Sequence, residues 1–265
     1  MRTGAPGRIG GFCAWLYLRT RALVTGGGSG IGRATALIFA REGAKLVVAD
    51  LNRKGAEETV AMVAKAGTEA ITVECDVLKP GAAEELVRRA VNHFGRLDCA
   101  FNNAGVAGEL ARTAESTEEN WDFVVGVDLK SVWLCMKHEI AQMLKQKSGA
   151  IVNTASIAGL GANPLGIAYS AAKHGVLGLT RTAAVEYAKI PIRVNAVCPG
   201  VTQTPMVEAG IARRPSMRAV FNKLHPMGRL GRAEEIGEAV AWLCSDAASF
   251  VTGVALPVDG GFTAI

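Results

Sequence analysis

No C-x-x-C pair occurs among the six cysteines of this chain (Cys13, Cys75, Cys99, Cys135, Cys198 and Cys244). That spacing excludes a disulfide framework and reads as buried thiols of a reducing, cytoplasmic compartment. The four histidines, His93, His138, His174 and His225, lie far apart, so no metal site is expected. Basic residues never run five or six together and the formal net charge is only +5, so no nucleic-acid partner is expected. No apolar run approaches the roughly 18 residues of a membrane span. Acidic residues are missing from Met1 to Thr20, which carry Arg2, Arg8 and Arg19 and the apolar patch Phe12 to Leu18. That patch is short for a secretory signal and no A-x-A-like site follows it. Residues 1–20 are therefore expected to be an N-terminal extension, disordered or lying on the surface.

What the chain does have is a core. Apolar residues make up 49% of 265 positions and charged residues 20%, the balance of a soluble globular protein. Short aliphatic runs alternate with longer segments. The runs are Ala22–Val24, Leu46–Ala49, Ala70–Val73, Cys99–Phe101, Ala150–Val152, Val194–Val197 and Val254–Leu256. Continuous apolar runs, rather than alternating ones, mark parallel strands buried on both faces. Gly30–Arg41, Arg53–Ala66, Gly81–Phe94 and Glu234–Cys244 show helical spacing between them. Strand–helix alternation of this kind predicts an α/β, Rossmann-type doubly wound sheet, mostly parallel and seven-stranded, with helices on both faces. No linker or repeat divides it, so residues 21–265 are expected to form one domain. The least regular stretch, 204–230, holds Pro205, Pro215 and Pro226 and is expected to be a lid or a surface loop. Its basic residues Arg213, Arg214, Arg218 and Lys223 read as a solvated face; its apolar residues Met206, Val207, Ile211, Met217 and Phe221 line a pocket or dock the lid.

Thr25-Gly26-Gly27-Gly28-Ser29-Gly30-Ile31-Gly32 follows the first strand and opens a helix. Glycines allow a tight turn and close backbone approach, and a helix N-terminus offers N–H donors to a phosphate. Asp50 ends the second strand, 18 positions after Gly32. A carboxylate there can accept from ribose hydroxyls and would repel a 2′-phosphate, which argues for NAD(H) over NADP(H). Arg33 and Arg53 are the counterweight, since either can reach a phosphate. Asp50 also reads as an N-cap for the next helix.

Tyr169 and Lys173 lie four apart, with Ser156 upstream. On a helix such residues share a face. Free tyrosine titrates near 10, and an adjacent ammonium favours the phenolate, which makes a proton donor and acceptor suited to alcohol–carbonyl chemistry. Alone, Tyr-x-x-x-Lys is a common spacing on solvated helix faces.

Taken together, the motifs from Arg21 to Ile265 resemble those of the short-chain dehydrogenase/reductase family. Gly26, Ser29, Gly30, Ile31 and Gly32 fall in what resembles the family's cofactor motif. Asp76-Val77 is similar to its adenine-contacting pair. Asn102-Asn103-Ala104-Gly105 is similar to the motif beside the cofactor. Pro199-Gly200-Val201-Thr202-Gln203-Thr204 resembles the stretch that contacts the nicotinamide carboxamide. The ending Val258 to Phe262 is similar to a region often found in tetramer interfaces.

The resemblance implies that Ser156 hydrogen-bonds the substrate oxygen and that Tyr169 is the acid/base. Lys173 would tune Tyr169 and hold the nicotinamide ribose. It further implies a homotetramer or homodimer. The finer likeness, in Asn153-Thr154-Ala155-Ser156 and the last six residues, is to bacterial dehydrogenases of cyclic alcohols and diols. One position departs. The family commonly carries asparagine 41 positions before the tyrosine, where a relay water is held, and this chain has Asp128. If a backbone carbonyl holds that water, the change is near-neutral. If the side chain matters, a carboxylate accepts without donating and raises the lysine pKa. The resulting expectation is an NAD(H)-dependent oxidoreductase of secondary alcohols. The alternatives are an NADPH-dependent carbonyl or 3-oxoacyl carrier-protein reductase, and a nucleotide-binding protein without turnover.

Overall fold

The structure, a computed structural model, describes residues 20–265. All but Thr20 of the expected N-terminal extension, Cys13 included, lies outside the described residues. The first half of the chain runs β1 (Arg21–Thr25), α1 (Gly30–Arg41), β2 (Lys45–Asp50), α2 (Arg53–Lys65), β3 (Ala70–Glu74), α3 (Ala82–Phe94) and β4 (Cys99–Asn102). Then come α4 (Glu118–Val125), a π-helical turn (Gly126–Lys130), α5 (Ser131–Gln146), β5 (Gly149–Thr154), α6 (Ile167–Tyr187) and β6 (Ile192–Pro199). The last part holds β7 (Thr202–Gln203), α7 (Pro205–Arg213), α8 (Met217–Leu224), β8 (Gly231–Arg232), α9 (Ala233–Cys244) and β9 (Ala255–Val258).

Seven strands pair in the order β3-β2-β1-β4-β5-β6-β9, and every pair is parallel. Successive residues of each strand feed opposite cores. Leu23, Val47, Ala100, Ile151 and Val194 pack with Leu86 of α3, Met136 of α5 and Val176 of α6. The next residues Val24, Val48, Phe101 and Val152, with Val197 further along β6, pack with Phe39 of α1, Val63 of α2 and Ile236 of α9. This two-sided burial is why the strands read as unbroken aliphatic runs. Each fully buried Leu, Val or Phe contributes roughly 1.5–3 kcal/mol.

Local chemistry sets the helix ends. Asn52 caps α2 by accepting from Gly55 N–H at 3.1 Å. Thr117 caps α4, and Thr204 caps α7 with Pro205 in its first turn. Gly95 closes α3 at φ 78°, a left-handed conformation that suits glycine. The stretch 204–230, expected to be irregular, contains two helices. Its prolines punctuate them: Pro205 opens α7, Pro215 separates α7 from α8, and Pro226 follows α8. The base of this excursion is closed by the two-residue pair β7–β8.

Strand order reverses about β1, which lies between β2 and β4. Loops leaving the carboxyl ends of β1 and β4 diverge there and leave a crevice. Among the described residues, no helix is long and apolar enough to cross a membrane, and no group of three or more potential metal ligands occurs.

Candidate functional site

A cavity of about 500 Å³ opens at that crevice. Its floor is the β1–α1 loop, of which Gly26, Ser29, Gly30 and Ile31 line the cavity. Gly26 and Gly30 adopt φ 63° and 52°. Gly32 faces inward instead, where any Cβ would run into the Gly26 carbonyl. The loop is braced from β4: Asn103 N–H and Ala104 N–H both donate to Thr25 Oγ1, at 3.0 and 3.1 Å. Asn103 Nδ2 donates to the Thr25 carbonyl at 3.1 Å. Ser29 is the N-cap of α1, yet its side chain makes no capping bond. A hydroxyl and a helix N-terminus therefore face the cavity uncommitted, as a bound phosphate requires.

Asp50 stands at the far end of the floor. Its Oδ2 accepts from Gly28 N–H and its Oδ1 from Asn52 N–H, each at 2.8 Å. The N-cap of α2 is Asn52, so the capping role expected of Asp50 falls two residues on. Both arginines have protein partners. Arg33 donates to Thr59 Oγ1 at 3.0 Å, to the Gly28 and Gly55 carbonyls at 2.5 and 3.2 Å, and to Glu58 at 3.0 Å. Arg53 pairs with Glu57 at 2.8 Å. Asp76 and Val77 line the same end, together with exposed Leu51 and Leu78, which sequence reasoning missed. Apolar side chains just past strand ends were the available signal.

At the other end lie Asn103, Ala104, Gly105, Asp128, Tyr169, Lys173 and Thr204. Tyr169 and Lys173 share a face in the first two turns of α6, and the Lys173 ammonium sits 5.4 Å from the centre of the phenol ring. Lys173 is 3% exposed, and its Nζ donates to the Thr154 carbonyl at 3.0 Å. Asp128 projects from the π-helical turn with no exposed surface. Its Oδ1 accepts from Val106 N–H at 2.8 Å, and its Oδ2 lies 3.3 Å from Lys173 Nζ. Side chain meets side chain, so the charge of Asp128 acts directly on the lysine. Burial alone would lower the Lys173 pKa; Asp128, helped by Tyr169, more than offsets this and raises it above the ordinary lysine value. Burial likewise pushes the Asp128 carboxyl up, against the pull of Lys173. Gly105 leaves room for the pair, since a Cβ there would lie 3.2 Å from Asp128 Oδ1 and 3.6 Å from Lys173 Nζ. The π-turn widens the helix by one residue at this position, a feature frequent at functional sites.

Ser156 is outside the cavity lining. It ends β5's extension and caps a short turn, its Oγ accepting from Ala158 N–H at 3.1 Å. That turn is stitched to α6. Ser170 Oγ donates to the Ala158 carbonyl at 3.0 Å, and a Cβ on Gly159 would lie 2.7 Å from the Lys173 carbonyl. Ser156 is thereby held against the helix that carries Tyr169 and Lys173, with its hydroxyl proton free to donate. Pro199, Gly200 and Thr202 also lie behind the cavity surface; of their stretch, Thr204 reaches it, with Pro205 and Met206. Phe123 and Met206 present half-exposed apolar surface there. Leu165, at φ 67° and half exposed, is fixed by Ala111 N–H donating to its carbonyl at 2.9 Å. Within the stretch 204–230, Arg218 pairs with Glu208 at 2.6 Å and Ile211 is buried. The described cysteines are buried, and burial pushes the Cys75 and Cys198 thiols up to about 11, so they are poor nucleophiles.

Residues 26–263 match the family described as enoyl-(acyl carrier protein) reductase. The chain is 45% identical to a cyclohexanol dehydrogenase of Acinetobacter sp. (strain SE19), over 91% of this chain and 94% of that one. It is 46% identical to a cis-4-hydroxycyclohexanecarboxylate dehydrogenase of Sinomonas cyclohexanicum, over 92% and 96%. Among solved structures, carveol dehydrogenase from Mycobacterium avium in complex with NAD superposes with a TM-score of 0.89 at 31% identity, covering 95% of this chain and all of the other.

Proposed function

The chain belongs to the short-chain dehydrogenase/reductase family and is an oxidoreductase of its alcohol-dehydrogenase type; from that premise we propose that it interconverts a ring-bearing secondary alcohol and its ketone with NAD(H). The observation that carries the reading is the cluster of half-buried Tyr169 with the buried pair Lys173–Asp128, at one end of a cavity whose other end is lined by the carboxylate of Asp50. A dinucleotide fits the residues present: a glycine floor with no room for side chains, a free helix N-terminus, and a carboxylate where a ribose would lie. The nicotinamide, when bound, supplies the hydride acceptor or donor.

In the oxidation direction Tyr169 takes the proton of the alcohol, and the Lys173 ammonium stabilises the phenolate that receives it. Ser156 Oγ–H donates to the substrate oxygen and orients it. Asp128 keeps Lys173 charged. Asp50 favours NAD because its carboxylate would repel a 2′-phosphate, while Arg33 and Arg53 are engaged elsewhere. A cyclic substrate is supported by the half-exposed apolar side chains of Phe123 and Met206 in the cavity lining and by the relatives' named activities.

Thermal unfolding with NAD+, NADH, NADP+ and NADPH at equal concentration tests the cofactor, because a ligand selective for the folded state raises Tm with occupancy. Cyclohexanol and cyclohexanediols are then offered with the preferred nucleotide. A larger shift with the NADP pair overturns the Asp50 argument. Absence of turnover on the whole panel with bound nucleotide favours a binding protein.

A further inference from the structure

His225 is buried, 3% exposed, and lies outside the cavity lining, in a chain whose histidines are otherwise scattered. It sits where three segments converge. The first is the wall Pro199–Thr204, which leads from β6 to the cavity. The second is the end of α8, where the lid returns. The third is the C-terminal loop after β9.

Both ring nitrogens are engaged. Nε2 lies 3.1 Å from the Val201 backbone nitrogen. A backbone N–H only donates, so Nε2 is the acceptor. Nδ1 lies 2.7 Å from the Phe221 carbonyl, which only accepts, so Nδ1 carries the proton. The two bonds together specify the neutral Nδ1–H tautomer. The ring also lies 5.9 Å from that of Phe262. Gly200 has no side chain for the same reason: a Cβ there would come 2.7 Å from His225 Nε2 and 2.9 Å from the Asp259 Cα. The neighbouring backbone is tied as well. Gly228 N–H donates to the His225 carbonyl at 2.7 Å, and Met227 N–H to the Gly260 carbonyl at 3.2 Å.

The position of Val201 explains why such a pin is needed. The ladder between β6 and β9 ends at Pro199, with Gly200 N–H donating to Val258 O at 3.1 Å. Val201 N–H is the next donor along the chain and has no strand partner. On the other side, the Val201 carbonyl accepts from Gly231 N–H at 3.0 Å, which begins the β7–β8 pair. The imidazole thus takes over where the sheet stops.

We propose that His225 is a positioning residue for the dinucleotide site: through Nε2 it sets the wall from Val201 to Thr204, and through Nδ1 it fastens the end of α8 to that wall. Lid movement is then confined to α7 and α8, between a fixed Thr204 and a fixed His225. This rests on the proposed dinucleotide-binding function, but the pin can be measured without any cofactor.

Hydrogen exchange is followed on the full chain, free and with NADH, and NADH affinity is measured for His225→Gln and His225→Phe. Glutamine offers an oxygen near Nε2; phenylalanine fills the volume without an acceptor. Expected are a Val201 amide protected in the free protein, lid amides at 205–224 that exchange faster and slow with NADH, and an NADH Kd raised about tenfold in His225→Phe but within about threefold in His225→Gln. Substrate KM should rise in His225→Phe more than kcat falls. The proposal is overturned if the Val201 amide exchanges as fast as the lid, or if both variants lose Tm equally with Kd and KM unchanged. If His225→Phe does not fold, exchange at Val201 and the Kd of His225→Gln decide. A protein that binds neither NADH nor NADPH refutes the dinucleotide reading, whereas protection of Val201 in the free chain still reports on the pin.

Discussion

Asp128→Asn removes one charge and almost nothing else. Oδ1 still accepts from Val106 N–H, and the side chain keeps its shape. What disappears is a carboxylate 3.3 Å from the Lys173 ammonium, itself 5.4 Å from the centre of the Tyr169 ring. At an effective dielectric of about 20, an ammonium at 5.4 Å stabilises a phenolate by roughly 3 kcal/mol. The carboxylate is at most about 9 Å from the same ring and opposes it by roughly 2 kcal/mol. Asp128 therefore opposes part of the help that Lys173 gives. One pH unit corresponds to about 1.4 kcal/mol. The acidic limb of the pH–rate profile for alcohol oxidation should move to lower pH by about one unit or slightly more in Asp128→Asn. On the alkaline plateau kcat should stay within about tenfold, or roughly 1.4 kcal/mol of barrier. The assay is kcat/KM for oxidation from pH 5 to 10, with NADH affinity as a control for folding. A limb that stays in place, or moves to higher pH, would refute the reasoning and mean that the pair carries no net effect on Tyr169. A plateau gain of several orders of magnitude would show that Asp128 impairs the enzyme by some other route.

Tyr169→Phe keeps the ring and removes the hydroxyl proposed to transfer the proton, so kcat should fall by about 10²–10⁴ with NADH affinity unchanged; equal turnover in the variant would displace Tyr169 from the chemistry. Asp50→Ala takes the acceptor from Gly28 N–H and from the ribose together, and should weaken NADH binding about tenfold while narrowing discrimination against NADPH, as read by titration. Glu139 offers a test of stability. It is fully buried in α5, its Oε2 accepts from Asn102 Nδ2 at 3.0 Å, and its Oε1 has no hydrogen-bond partner. Burial raises its pKa to about 7, against the donor from Asn102. A carboxyl raised on folding stabilises the protein fully below its unfolded value of about 4.3, and that contribution is lost as pH climbs from there through 7, by about 4 kcal/mol in total. Glu139→Gln should therefore raise Tm by roughly 6 °C or more at pH 8 and give no gain near pH 4.5. The same Tm difference at both pH values would refute the buried-charge account.

Much of the architecture was legible because burial on both faces leaves a simple trace. All seven aliphatic runs lie in or overlap the strands of the sheet, and the four helices read from spacing agree within a residue or so. The last run was displaced, since Pro257 and Val258 continue β9 past Leu256. The pair β7–β8 has two residues per strand, too few for any periodicity. Helices α7 and α8 were hidden by prolines that mark their ends as readily as they mark a loop. Nothing in Gly126–Lys130 announces a π-turn, because widening a helix by one residue changes hydrogen bonding and not composition.

By itself the sequence determined the layers, the strand content, the glycine floor, and the pairing of Tyr169 with Lys173. These depend on local periodicity or on spacing within one helix. Only the tertiary structure decided which charges meet. Arg33 folds back onto the loop it was expected to compete with, and Asn52 rather than Asp50 caps α2. Asp128 touches Lys173 across 45 residues of chain, and His225 reaches Val201 across 24. Such contacts are set by how separate elements dock, and the free energy of docking comes from apolar surface that is indifferent to the polar groups it brings together.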